Sequence, residues 1–253
     1  MGSDNSASRL AVILEQVRQQ PGRAAIEVWM QIFDVSDRAG VLQKAADFAR
    51  LVDQVEVEVR ALPEDEDPDH LLAFLPQIRS VVDSLLHVGN VQMSHFVDQV
   101  TGEMIYSVAS CARALRRNGR VQPVISDDLS KQFVEDVRAI IDPVVNSDLP
   151  DNLKEILVDR LRGVEAALLS VRVGGYADVE KAMDALTFGA VRVTEPDSEE
   201  RAKVGSWLGR LWGKLSRHAQ GAEAIASTAV RTAEVVMAIN ARRRAAESLT
   251  EIT

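Results

Sequence analysis

Between residues 45 and 62 the apolar side chains fall at Ala45, Phe48, Val52, Val55, Val59 and Leu62, alternately three and four residues apart. That spacing gathers side chains on one face of a helix and scatters them on a strand, which repeats every second residue. It describes a helix packed lengthwise against neighbours. The same rhythm returns along the chain at Leu71, Leu75, Ile78, Val82 and Leu85, then at Val97, Met104, Val108, Cys111 and Leu115. It continues at Leu129, Phe133, Val137, Ile140 and Val144, at Leu153, Leu157, Leu161, Val164, Leu168 and Val171, and at Tyr176, Val179, Met183, Leu186 and Ala190. Nearer the start, Ile26, Trp29, Met30 and Phe33 share a face.

Helix breakers separate these stripes. Pro21-Gly22, the acidic PEDEDPD at 63–69, Asn118-Gly119, RVQPVIS at 120–126, NSDLP at 146–150 and Gly174-Gly175 all carry turn chemistry. Pro76 either kinks its helix or sits in the first turn. Short connections join antiparallel neighbours, so the expected fold is all-α, an antiparallel multi-helix bundle or stacked helical hairpins. Composition agrees, with 4% aromatic residues, 46% hydrophobic and 26% charged, and few glycines and prolines.

The charge is uneven. Residues 201–253 hold nine Lys and Arg against four Asp and Glu, leaving 20 against 34 in residues 1–200 and a net −9 overall. An acidic body joined to a basic tail disfavours nucleic acid as the main partner, because neutralising phosphates takes a basic surface. The expected organisation is a flexible N-terminus (1–6), an acidic helical bundle (7–193), a proline-bearing linker TEPDSEE (194–200), a basic amphipathic helical hairpin (201–246) and a flexible C-terminus (247–253). Glu15 and Arg18 interrupt the first apolar run, which excludes a secretory signal there. No stretch reaches the roughly 18 uncharged apolar residues of a spanning helix. Cys111, the single cysteine, reads as a small core residue and fits a reducing, cytoplasmic setting.

Catalytic patterns are missing from the sequence. His70, His87, His95 and His218 have no metal-ligand spacing, and no GxSxG elbow occurs. GRLWGKL (209–215) imitates a phosphate loop but is one residue short between its glycines, and Leu215 stands where a Ser or Thr would hold magnesium. No catalytic residue, metal, cofactor or small-molecule substrate is expected, although a helical hydrolase or nuclease without a motif is an alternative.

The segment KVGSWLGRLWGKLSRHAQG (203–221) is the one that composition does not explain. On a helical projection Val204, Trp207, Leu208, Leu211, Trp212 and Leu215 cover an arc of about 140°. Gly205, Gly209 and Gly213 line one edge, and Lys203, Arg210, Lys214 and Arg217 gather on the other side. Each interior glycine costs a helix roughly 0.8–1 kcal/mol against alanine, so three at every fourth position invite a reason. Close approach of another helix supplies one. The series resembles the glycine-zipper pattern of membrane-active peptides, and the resemblance covers nine residues. It implies a helix that attaches to a membrane surface or to partner helices, possessing the cationic face of an interfacial helix.

The functional expectation is therefore a non-enzymatic helical interaction protein, in its stronger form a membrane-active effector, cytoplasmic or peripheral at the inner face of a membrane. In it Trp207, Leu208, Leu211, Trp212 and Leu215 bury apolar area, Gly205, Gly209 and Gly213 allow close helix packing, and Arg210, Lys214 and Arg217 meet anionic groups. A protein partner, self-association or an anionic membrane surface would receive it. The alternative is a soluble homo-oligomeric scaffold whose C-terminal helices are core.

Overall fold

A computed structural model of the chain describes residues 5–89, 91–193 and 199–218, with side chains except at 191–193, 200, 201, 212 and 214–218. The described residues are all-α, and their one β-type pairing is an isolated bridge between Ala24 and Gln92. The chain forms two compact units. Among the described residues, the first comprises 5–122 together with 172–175, and the second comprises 123–171, 176–193 and 199–218. The single bundle expected over 7–193 thus has two cores. The reason lies between α7 and α8: Gly119 takes φ +72° to end a helix, and the stripes before and after the RVQPVIS loop that follows it feed different apolar clusters.

The first unit holds α1 (Ser6–Arg18), α2 (Ala25–Phe33), α3 (Arg38–Arg60), the single turn α4 (Pro68–Leu71), α5 (Leu75–Leu86), α6 (Ser94–Gln99) and α7 (Gly102–Arg117). Asn5 and Ser6, assigned from sequence to the flexible N-terminus, are buried parts of this fold. Asn5 caps α1 by accepting from the Ser8 amide (2.9 Å), while its own side-chain amide donates to the carbonyl of Ala112 on α7 (3.0 Å). Asp37 and Thr101 cap α3 and α7 in the same way.

Pro76 lies in the first turn of α5, where a missing amide hydrogen costs nothing. The stripe read from Val97 to Leu115 is two helices, broken at Val100-Thr101 within its one seven-residue gap. The acidic 63–69 loop is held rather than merely solvated. Arg60 bonds Asp69 (3.2 Å), and Glu66 pairs with Arg117 and accepts from Asn118 (2.9 Å), which together hold the Glu66 carboxyl below its usual range, Arg117 foremost.

The centre of the first core is Trp29, fully buried, with ring centroids 5.1 Å from Phe33, 5.9 Å from Phe48 and 5.5 Å from Phe96. Arg9 is the other anchor. It lies on the same face of α1 as Ile13 and Val17, and its guanidinium donates to the carbonyls of Val173 (3.0 Å) and Gly174 (3.4 Å).

In the second unit α8 (Asp127–Val145) and α9 (Asp151–Leu169) form the most extensively paired hairpin among the described helices, followed by α10 (Val171–Val193), whose residues 172–175 belong to the first unit, and α11 (Glu199–His218). Ser126 caps α8, with Asp127 and Asp128 in the favourable first turn. α10 is interrupted at Gly175, whose φ +70° and ψ −170° are accessible essentially to glycine alone. Leu153, Leu157, Leu161, Val164 and Leu168 of α9 meet Phe133 and Val137 of α8 and Val179, Met183 and Leu186 of α10 in one cluster.

Candidate functional site: the C-terminal helix

α11 contains the segment singled out by sequence. The linker residues 194–198 and the second half of the expected hairpin, from 219 onward, lie outside the described residues, as does the C-terminus 247–253. α11 packs on α8. Val204 (2% exposed), Leu208 (8%) and Leu211 (1%) enter the second unit's core, and Trp207 rests half-buried against it. Burying a Val or Leu side chain is worth about 1.5–3 kcal/mol. This accounts for the apolar face: Leu208 and Leu211, expected to meet a membrane or partner, are core side chains here, and an outside surface reaches them only if the helix leaves its seat.

Lys203 and Arg210 are exposed, and the Lys203 ammonium stands 4.0 Å from Asp148 in the α8–α9 connection. Asp148 was invisible as a partner in the sequence, because 55 residues separate it from Lys203 and both lie in ordinary polar contexts. Side chains of Trp212, Lys214, Leu215 and Arg217 fall outside those described.

The glycines behave differently from the leucines. Gly205 is half-buried, and Gly209 and Gly213 are exposed. A Cβ built on any of the three meets nothing within 4 Å among the described residues. By contrast, a Cβ at Gly175 would lie 2.3 Å from the Arg9 guanidinium, so that glycine is required by its own fold. Nothing described here requires the three on α11.

Elsewhere two buried ionisable groups are perturbed. Burial pushes the Cys111 thiol from 9.0 up to about 11, and the Sγ lies 3.3 Å from the Leu71 carbonyl. Burial, then the charges of Glu180 and Asp184, push the Tyr176 hydroxyl from 10.0 to about 12, and its oxygen makes no hydrogen bond among the described residues. Both acids keep their proton longer in the folded chain than in the unfolded one. Stability is unaffected below the unfolded values and falls with rising pH, from about 9 to 11 for Cys111 and about 10 to 12 for Tyr176. The unfolding midpoint is expected to drop across that window, with Tyr176→Phe removing the upper part and costing nothing at neutral pH, since no bond is lost. Ellman's reagent at pH 8 should modify Cys111 at least about 100-fold more slowly in the folded protein than in denaturant.

Among the described residues no group of three or more His, Cys, Asp and Glu is placed to hold a metal ion, and no helix is long and apolar enough to cross a membrane. Comparison with protein-family models, curated proteins and solved structures finds no match to this chain. Its function is read from its own residues.

Proposed function

We propose that this chain is a non-enzymatic interaction protein that attaches through α11 to a further helix, a second copy of the chain being the occupant to test first. The supporting observation is the open glycine face. Gly205 and Gly209 sacrifice helix propensity at positions where an added Cβ meets none of the described residues, which makes sense if another backbone comes close along that edge. Lys203 and Arg210 are exposed on the other side of the helix and suit an acidic partner surface, such as the body of a second copy.

Sedimentation velocity on the full chain tests this. The wild type is expected to self-associate at tens of micromolar, and Gly205→Ala/Gly209→Ala to be monomeric with an unfolding midpoint no lower than wild type, because the added methyls meet nothing. A monomeric wild type, or unchanged association in the double variant, would contradict the reading. A bilayer is the second possibility, favoured by the half-buried Trp207 and exposed cations. Co-sedimentation with anionic vesicles at low salt, lost in Trp207→Ala/Trp212→Ala, would select it instead.

A further inference from the structure

We infer that the outward face of α7, in the first unit, is a docking surface for a short acidic segment of a partner protein, read by Tyr106, Arg113, Arg117 and Arg120. The surface belongs to the first unit, so the inference rests neither on α11 nor on the attachment reading.

The stretch RALRRNGR at 113–120 puts four arginines in eight residues with no acid among them, and all four are exposed. The other nine cations of the first unit share it with sixteen Asp and Glu. The end of α7 is therefore a basic island on an acidic body. A helix C-terminus favours cations, which accounts for Arg116 and Arg117 in the last turn. It does not account for Arg113 a turn earlier, for Arg120 beyond the Gly119 turn, or for Tyr106, an aromatic ring left 69% exposed.

Two details suit this face to a carboxylate ligand. Tyr106, Arg113 and Arg117 follow one another at seven and four residues, within about 40° around the helix. The Arg113 guanidinium lies 5.2 Å over the Tyr106 ring and donates to the Ser110 hydroxyl (2.8 Å), contacts that orient it without neutralising its charge. In the next turn the chain supplies a carboxylate of its own. Glu66 accepts from two guanidinium nitrogens of Arg117 and from the Asn118 amide (2.9 Å), so this end of the helix already binds the group that the inference assigns to a partner. Exposed Tyr and Arg held in place by their neighbours are also the side chains that dominate protein interfaces.

The extent of the patch sets the ligand. From Tyr106 to Arg117 the helix rises about 16 Å, which about five residues of extended peptide span. A nucleic-acid strand would carry its charges onward across a unit rich in acids, whereas a short acidic segment ends within the patch.

Phenylglyoxal footprinting of the full chain, read by mass spectrometry, tests this arginine by arginine with a blocked hexaglutamate peptide as the probe. At about 20 mM salt the peptide is expected to slow modification of Arg113 and Arg120 at least about fivefold and to lose its effect at about 0.5 M. Arg23 and Arg50, exposed cations of the same unit, should be unchanged. Tyr106→Ala/Arg113→Ala should abolish the slowing at Arg120 with the urea midpoint unchanged, since both side chains are exposed. Glu66→Gln should speed modification of Arg117 without the peptide and let the peptide slow it again. Slowing shared equally by Arg23 and Arg50, slowing confined to arginines beyond residue 200, or none at all would overturn the docking surface. So would an oligothymidylate that protects Arg113 and Arg120 where the peptide does not. Arg117 reactivity untouched by Glu66→Gln would overturn the carboxylate reading of the patch.

Discussion

Gly175→Ala is expected to destabilise the first unit by about 3–5 kcal/mol, one of the two largest effects of any single substitution described here. Two costs combine. The backbone at φ +70° and ψ −170° lies in a region that charges a residue with a Cβ of order 1–3 kcal/mol. The new methyl would also lie 2.3 Å from one guanidinium nitrogen of Arg9 and 2.4 Å from its Cζ, so the guanidinium must move off the carbonyls of Val173 and Gly174. Arg9 is 7% exposed, and hydrogen bonds to a charged group contribute about 1.5–3 kcal/mol each. Arg9→Met should cost about 2–4 kcal/mol for the same reason. Because both substitutions break one contact, the double variant should be less destabilised than the two losses added. Urea denaturation followed by Trp29 fluorescence checks this, in a Trp207→Phe/Trp212→Phe background so that the signal belongs to the first unit. A loss below about 1 kcal/mol for Gly175→Ala would mean that the tight approach is not maintained in solution.

Trp29→Ala should cost about 3–5 kcal/mol, the range for removing a large buried aromatic. The ring is fully buried and touches Phe33 of its own helix, Phe48 of α3 and Phe96 of α6, so its loss opens the cluster that joins α2, α3 and α6. Trp29→Phe should cost less than half as much. The indole Nε1–H is buried without a hydrogen-bond partner among the described residues, and an orphaned donor carries a penalty of about 1–3 kcal/mol that phenylalanine removes. Circular dichroism in urea measures both variants. Equal losses for Ala and Phe would show that the donor has found a partner in solution.

The heptad spacing was a sound guide to helices because lengthwise burial needs that spacing and little else. Every stripe residue of α3 from Ala45 to Val59 is buried as expected, and the Asn118-Gly119 cap forms with Gly119 at φ +72°. What spacing does not encode is which stripes meet. The stripes of α7 and α8 look alike in sequence yet serve different cores, so the division at 122/123 was hidden behind an ordinary loop. Arg9 was hidden too, as a cation in a helix of mixed composition; the clue was its position four and eight residues before Ile13 and Val17. For α11 the three-stripe projection was legible, and the structure decided between its faces. Val204, Leu208 and Leu211 are used by the protein itself, and a Cβ added at Gly205 or Gly209 meets none of the described residues.

That open edge is the centre of the account, and Gly209→Leu addresses it most directly. The position is exposed and an added Cβ meets none of the described residues, so the folded monomer should keep or raise its unfolding midpoint. A leucine there would also hold a second helix several ångströms away. Sedimentation velocity of wild type and Gly209→Leu over a hundredfold concentration range should show association in the first and a monomer throughout in the second. Identical association behaviour in the two proteins would contradict the proposal that α11 attaches through its glycine face.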